Sequence, residues 1–204
     1  MIITKPVLCS TQMVQAILYA HKTMTRRLVK PQPTRDAKLT EFRYGVPCFS
    51  DGTSGNRPYN VDDILYVRET WANAYLNGGS EGFIDAFAYK ADGKLMYYSL
   101  RGELVSSSRK VGDLHSNAIS AWRPSIFMPK EAARIFLRVT DVRVERLQDI
   151  PRDDLARKGV ITDTFAEFSV LWDSFRKSKA DRAQYGWDAN PWVWVISFER
   201  CEKP

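Results

Sequence analysis

The chain has 204 residues, of which 44% are hydrophobic and 12% aromatic, so it can bury a core and is not a disordered protein. No apolar run approaches the roughly 20 residues of a membrane-spanning helix, and no secretory signal precedes the first element. Three widely separated cysteines, Cys9, Cys48 and Cys201, offer neither metal-ligand spacing nor an even-numbered disulfide set. We therefore expect a cytoplasmic protein with reduced thiols and no membrane partner.

The net charge of +6 is confined to one part of the chain. Residues 1–35 contain six lysines and arginines and no acidic residue, whereas the remainder contains 24 basic and 24 acidic residues and is neutral. A localised basic segment raises the local concentration of anionic partners, nucleic acid above all. Two other interpretations of this segment are a mobile basic arm and an organelle-targeting peptide.

The first predicted elements contain this basic segment. Residues 1–10 predict a short strand, and Ser10 is a residue type that caps helices, here a helix from Thr11 to about Ala20. Residues 22–29, "KTMTRRLV", alternate with a period of two and favour a strand. The basic cluster is therefore predicted at a folded helix-to-strand junction rather than in a free tail.

Two segments are predicted as insertions. Residues 31–60 are rich in Pro, Gly, Ser and Asn and predict a long loop. Residues 73–121 contain short strand-like pieces, with "ADGK" at 91–94 as a hairpin turn. Between these insertions, "VDDILYVRETW" predicts a strand that ends near Arg68 and Glu69.

The last third of the chain predicts a long strand from Ile135 to Leu147, a short helix ending at Gly159, a longer helix and a buried strand near residues 190–200. An apolar stripe expected to face the core marks the longer helix: Phe165, Phe168, Leu171, Trp172 and Phe175. The element order predicts a single α+β domain over residues 1–204, with a small, largely antiparallel mixed β-barrel and flanking helices.

The search for catalytic motifs leaves few candidates. No nucleotide-binding loop, zinc-protease, serine-hydrolase or zinc-deaminase motif is present, and no metal or cofactor is expected from two histidines. Glu69 has the strand parity of Leu65 and Val67, so it is expected to face the same side. A buried carboxylate near a lysine and a hydroxyl could activate water on an acyl substrate. The alternative is a structural ion pair of Glu69 with Arg68 or Arg27.

Five segments together resemble the ASCH-domain proteins carried by phages and prophages. In chain order they are "MVQAILYAHKTMTRR", "VDDILYVRETW", "WRPSIFMPKEAARIFLRVTDVRVERLQDI", "FSVLWDSF" and "NPWVWVISFE". They occur in the family's order and cover most of the chain. The resemblance implies a PUA-like fold, a small β-barrel with flanking helices, that handles RNA or a modified nucleotide in a cleft lined by a Gly-x-Lys-x-x-x-x-Arg motif.

That motif falls on Ala20 in place of the glycine, Lys22 and Arg27. Loss of the glycine makes a left-handed backbone at Ala20 less favourable, so we do not expect one there. In small bacterial members, which resemble N4-acetylcytidine amidohydrolases, the catalytic set is the motif lysine, the threonine three residues later and a glutamate in the helix after the long strand. Lys22 and Thr25 match the first two members of that set.

The third member is missing, because "ARKG" places Lys158 where the family has its glutamate. A lysine cannot accept a proton from an attacking group, so Glu69 would have to substitute for the missing acid. The alternative function implied here is an N4-acylcytidine amidohydrolase or a ribonuclease that uses Lys22, Thr25 and Glu69.

The leading hypothesis is an RNA- or nucleotide-binding protein. The cations would meet phosphate or a base edge, Thr25 would bond to the ligand, and Glu69 would orient one of the cations. The expected binding residues are Lys22, Thr23, Arg26, Arg27 and Arg68. A third hypothesis is a phage protein-interaction module with residues 73–121 as its surface. DNA in place of RNA and the oligomeric state are left open.

Overall fold

A computed structural model of the chain describes residues 4–77, 83–115, 118–152, 154, 164–176 and 178–204. The strands are β1 (Thr4–Leu8), β2 (Met24–Leu28), β3 (Leu39–Arg43), β4 (Val46–Phe49), β5 (Ile64–Arg68), β6 (Trp71–Asn77), β7 (Phe83–Tyr89), β8 (Lys94–Tyr98), β9 (Leu104–Lys110), β10 (Phe136–Arg146) and β11 (Trp192–Cys201). The α-helices are α1 (Thr11–Leu18), α2 (Phe165–Ser174) and α3 (Lys179–Tyr185). The predicted α+β class is confirmed.

These strands form three sheets. The largest has the order β1-β5-β10-β11-β2, the second has the order β6-β7-β8-β9, and β3 pairs with β4 alone. β1 and β5 are parallel, whereas β11 and β2 and all pairs in the two smaller sheets are antiparallel. None of the three sheets closes within the described residues, so the predicted barrel is not found there. The strands of residues 71–110 instead make a separate sheet around their own small core.

The chain divides into two compact units. The first unit comprises Met1–Tyr19, Ile64–Leu137 and Arg200–Pro204, and the second comprises Ala20–Asp63 and Arg138–Glu199. The expectation of one domain over residues 1–204 stays a prediction.

The first unit begins with the elements that its sequence predicts. The Ser10 side chain accepts a hydrogen bond from the Met13 amide at 3.3 Å and caps α1, whose Val14 and Ile17 are buried. The predicted hairpins of residues 73–121 are present as β6 to β9, and the "ADGK" turn joins β7 to β8. Small side chains fill the centre of this sheet: Ala72, Ala74, Ala86 and Ala88, with Leu76 and Leu95 beside them.

The second unit has a core of aromatic and branched side chains: Met24, Leu147, Ile150, Phe168, Trp172, Val193 and Val195. The apolar stripe of α2 is confirmed for Phe168 and Trp172, which are buried, and Phe165 packs at the edge of the core. Phe175 is 47% exposed, contrary to expectation, because it lies at the C-cap of α2, beyond its last turn.

The segment 31–60 was predicted as a loop but contains the β3–β4 hairpin. Arg43 pairs with Val46, so only Tyr44 and Gly45 make the turn. Both have positive φ, 52° and 78°, which is the conformation that tight two-residue hairpin turns require. The Pro-, Gly-, Ser- and Asn-rich composition of residues 31–60 is compatible with a loop as well as with a hairpin. Elsewhere, no helix in the described part of the chain is long and apolar enough to cross a membrane.

Candidate functional site

The basic junction, here defined as residues Ala20–Arg27, begins with a left-handed turn after α1. The expectation for Ala20 is wrong, because its φ is 59°, the region that glycine favours. The helix ends at Tyr19, whose amide still donates to the Gln15 carbonyl, and the next residue must turn the chain away. A left-handed residue with a Cβ costs about 1–2 kcal/mol. The chain therefore adopts, at an alanine, a backbone conformation that glycine favours.

Three of the predicted site residues in the junction have buried polar side chains, namely Lys22, Thr25 and Arg26. Lys22 and Thr25 are each only 6% exposed. The Lys22 Nζ donates to the Met24 carbonyl at 2.7 Å, so the side chain folds back on its own backbone. Thr23 is exposed, and its carbonyl accepts from the Phe198 amide at 2.8 Å. β11 thus holds the backbone of the junction in place.

Arg26 belongs to a buried ion-pair network in the second unit. Its Nη2 lies 2.6 Å from Glu145 Oε1 and 3.3 Å from Asp154 Oδ2, and its Nε lies 3.0 Å from the same Glu145 oxygen. Arg143 closes the network, with its Nη2 at 2.8 Å from Asp154. The charge of Arg26 is therefore balanced inside the protein. Its predicted contact with a ligand stays a prediction.

Arg27 differs from Arg26 because it is half-buried and pairs in register with Trp194 of β11. Its Nη1 donates to the Arg26 carbonyl at 3.3 Å. Consecutive strand residues point to opposite faces, so Arg26 and Arg27 cannot share one environment.

Glu69 lies in the first unit and is bound by an arginine that the sequence did not indicate. Its two carboxylate oxygens accept from Arg134 Nε and Nη2 at 2.9 and 3.0 Å. Arg134 also donates to Asp92 at 2.8 Å, and its guanidinium carbon lies 4.0 Å from the centre of the Tyr89 ring. The alternative of a structural Arg–Glu pair fits this geometry, although its partner is neither Arg68 nor Arg27.

Burial and ion pairing shift the pKa values of the two acids that bind Arg134 in opposite directions. Burial raises the pKa of Glu69, against the lowering effect of the hydrogen bonds and charge of Arg134. Burial also opposes the charged form of Asp92, but the Arg134 hydrogen bond and charge outweigh it and lower the pKa of that carboxyl. The pKa of Arg134 is raised, because its bonds to both acids outweigh its burial. Arg134 is accordingly a permanent cation.

Arg68 was predicted to bind a ligand, which stays a prediction, and its guanidinium holds a nearby loop. Its Nε donates to the Met128 carbonyl at 2.8 Å, and its Nη2 donates to the Ile126 carbonyl. Both are backbone acceptors, so the guanidinium secures the turn that precedes β10.

The structure therefore groups the predicted residues by unit. The four polar residues from Lys22 to Arg26 lie with Arg27 in the second unit, whereas Arg68 and Glu69 lie in the first and have partners there. Lys158, which was expected at the position of the missing glutamate, lies outside the described residues. The catalytic role of Lys22, Thr25 and Glu69 stays a prediction.

Sequence reasoning missed the four charged partners: Arg134, Arg143, Glu145 and Asp154. A signal existed for two of them, because Arg143 and Glu145 alternate with valines along β10 and so share one face of that strand. Nothing in the sequence marked Arg134 or Asp154. Among the described residues, no group of three or more His, Cys, Asp or Glu side chains could hold a metal ion.

No protein-family model matches the sequence, and no curated protein matches it. Among solved structures, the chain is similar to an ASCH domain from Lactobacillus crispatus JV V101. The two share 10% sequence identity, the match covers 97% of this chain and 79% of that chain, and the TM-score is 0.44.

Proposed function

We propose that the chain binds RNA or a nucleotide at the basic junction. The observation that carries this proposal is the left-handed turn at Ala20, followed at once by the buried Lys22 and Thr25. A left-handed alanine and a buried ammonium group both cost stability. Proteins keep such costly features mainly at functional sites, so their occurrence within six residues favours a site over a plain structural turn.

The exposure of the junction residues suggests a division of roles. Thr23 is exposed and Arg27 is half-buried, so these two can reach a bound phosphate or base edge from the rim. Lys22 and Thr25 would contact a group that enters more deeply. Arg26 has two carboxylate partners, so in this proposal it positions β2 and does not contact the ligand. Cytoplasmic location is part of the proposal, since RNA and nucleotides are abundant there.

The test measures RNA binding by the double variant Lys22→Ala/Arg27→Ala with fluorescence anisotropy over a range of salt concentrations. Each lost phosphate contact should reduce the salt slope by about 0.7 for a single strand, and the affinity should fall by about tenfold or more at low salt. Lys90→Ala/Arg101→Ala removes the same charge from exposed positions of the first unit and serves as control. Equal affinity and salt slope in the double variant and the parent chain would refute the proposal.

The same samples decide the hydrolytic alternative. They are incubated with N4-acetylcytidine and with RNA, and the products are separated by chromatography. Turnover that disappears in Lys22→Ala would support the amidohydrolase or ribonuclease. If the parent chain shows no turnover, or if turnover persists in Lys22→Ala, hydrolysis at this site is ruled out and the proposal of binding is kept. A DNA strand of the same sequence tests whether the ribose 2′-hydroxyl is recognised.

A further inference from the structure

A second polar site lies in the second unit, in elements other than those of the basic junction. It is a surface cleft of about 350 Å³ lined by Arg35, Lys179, Arg182, Ala183, Asp188 and Ala189. Arg35 comes from the segment that follows β2, Lys179 and Arg182 are one turn apart on α3, and Asp188 precedes β11. The cleft volume is within the range of small-molecule sites.

The charged side chains that line this cleft have no oppositely charged partner within ion-pair distance among the described residues. The three cations and Asp188 are exposed, and none of the four forms an ion pair within the part of the chain that the structure describes. Arg134 and Arg26, by contrast, each have two carboxylate partners. Three cations and one carboxylate leave a net charge of +2 in the cleft, which an anionic ligand would neutralise.

We propose that this cleft binds a phosphate monoester that also carries hydroxyl or amino groups, as a nucleoside monophosphate does. A phosphate monoester has a charge of about −1.5 to −2 at neutral pH, which matches the net charge of the cleft. Two guanidinium groups and an ammonium group can bond its three terminal oxygens. Asp188 can only accept hydrogen bonds when ionised, so it selects a ligand with a hydroxyl or amino donor.

The same charge count disfavours a phosphate within a nucleic-acid strand. A phosphodiester carries a single negative charge and would leave one positive charge of the cleft unbalanced. The site is therefore assigned to a free nucleotide or sugar phosphate. This inference does not depend on the proposed function, because the cleft is lined by residues other than those of the basic junction.

The experiment is isothermal titration of the full chain with cytidine 5′-monophosphate, ribose 5-phosphate, cytidine and the dinucleotide CpC without a terminal phosphate. We expect both monoesters to bind, and cytidine and CpC to bind at least tenfold more weakly. Lys179→Gln/Arg182→Gln should weaken monoester binding at least tenfold, and Asp188→Asn should weaken it less. Lys90→Gln/Arg101→Gln, with the same change of net charge, should leave it unchanged. Circular dichroism verifies that each variant is folded.

Three results would overturn the inference. The first is unchanged monoester binding in Lys179→Gln/Arg182→Gln, or equal weakening in the control pair. The second is binding of CpC or cytidine as tight as that of the monoesters. The third is binding that Lys22→Ala/Arg27→Ala abolishes and the cleft variant leaves intact, which would place the ligand at the basic junction. Loss of RNA binding without loss of monoester binding would affect only the proposed function.

Discussion

Each unit contains a buried arginine with two carboxylate partners, and the two clusters differ in how far water reaches them. In the first unit, the side chains of Arg134 and Glu69 are 5% and 1% exposed, and the Tyr89 ring covers the guanidinium. In the second unit, Arg26 is equally buried, but Arg143 at the edge of the network is 39% exposed. The Arg134–Glu69 pair is sealed from water, although Asp92 at its edge is 21% exposed, whereas the second network reaches the surface through Arg143.

This difference shows which buried charges belong to the architecture. A sealed pair in which every donor has a carboxylate acceptor leaves no group for a ligand, and its removal leaves an uncompensated charge inside. A network with an exposed member can adjust when one group is lost. Buried charge alone therefore did not identify the candidate site. The basic junction is distinguished by a buried lysine directly after a left-handed turn, not by the number of its ion pairs.

The largest expected effect on stability comes from breaking the sealed Arg134–Glu69 pair. Glu69→Gln keeps the shape of the side chain but removes the charge that balances Arg134, so the free energy of unfolding should fall by about 3–5 kcal/mol. Urea unfolding, monitored by circular dichroism, measures the loss of unfolding free energy. Glu131→Gln, an exposed acid of the same unit, is the matched control and should change stability by less than about 0.5 kcal/mol. A similar small change in both variants would show that Glu69 is not held as described.

A smaller loss is expected in the network that reaches the surface. Arg26→Met leaves Glu145 and Asp154 with Arg143 alone, and these acids are 14% and 10% exposed, so partial hydration softens the penalty. We expect a loss of about 2–3 kcal/mol. Arg143→Met, at the exposed edge, should cost less than about 1 kcal/mol. Equal losses for the two arginines would remove the distinction between the centre and the edge of this network.

The smallest effect is the pH dependence of the stabilisation that Asp92 contributes through its ion pair with Arg134. The pKa of Asp92 is lowered, so its stabilising contribution is complete above its ordinary pKa of about 3.9 and is lost as pH falls through the folded-state pKa. The stability difference between the parent chain and Asp92→Asn, about 1 kcal/mol near neutral pH, should therefore shrink between pH 5 and pH 3. Urea unfolding at each pH measures it, and a constant difference would contradict this assignment.

Local elements of the fold were predictable because their causes are local. The Ser10 cap of α1 and the alternation along β10 depend on residues a few positions apart, and both elements are found within one or two residues of their predicted bounds. The β3–β4 hairpin was not predicted, because its turn requires a positive φ at Tyr44, and residues other than glycine rarely adopt a positive φ. The predicted barrel is not found among the described residues for another reason, since sheet closure depends on long-range pairing that no local pattern specifies.

The candidate site was predictable only in part, and for the same physical reason. Lys22, Thr25 and Arg27 were predicted from the resemblance to the family motif, which places them in one short stretch. The partners that decide what buried charges do lie far away in sequence, Glu145 being 119 residues from Arg26 and Arg134 being 65 residues from Glu69. Strand parity indicated that Glu69 would be buried but could not indicate which arginine would meet it.

The antiparallel pairing of β2 with β11 has a consequence for the kinetics of folding. Met24 pairs with Ser197, so the pairing that holds the basic junction closes a loop of roughly 170 residues, at an entropic cost that local contacts must first offset. During synthesis, β2 emerges early but its partner strand emerges only after the intervening residues. The basic junction should therefore be among the last parts of the chain to acquire native structure, well after the β6–β9 sheet, whose pairings are local.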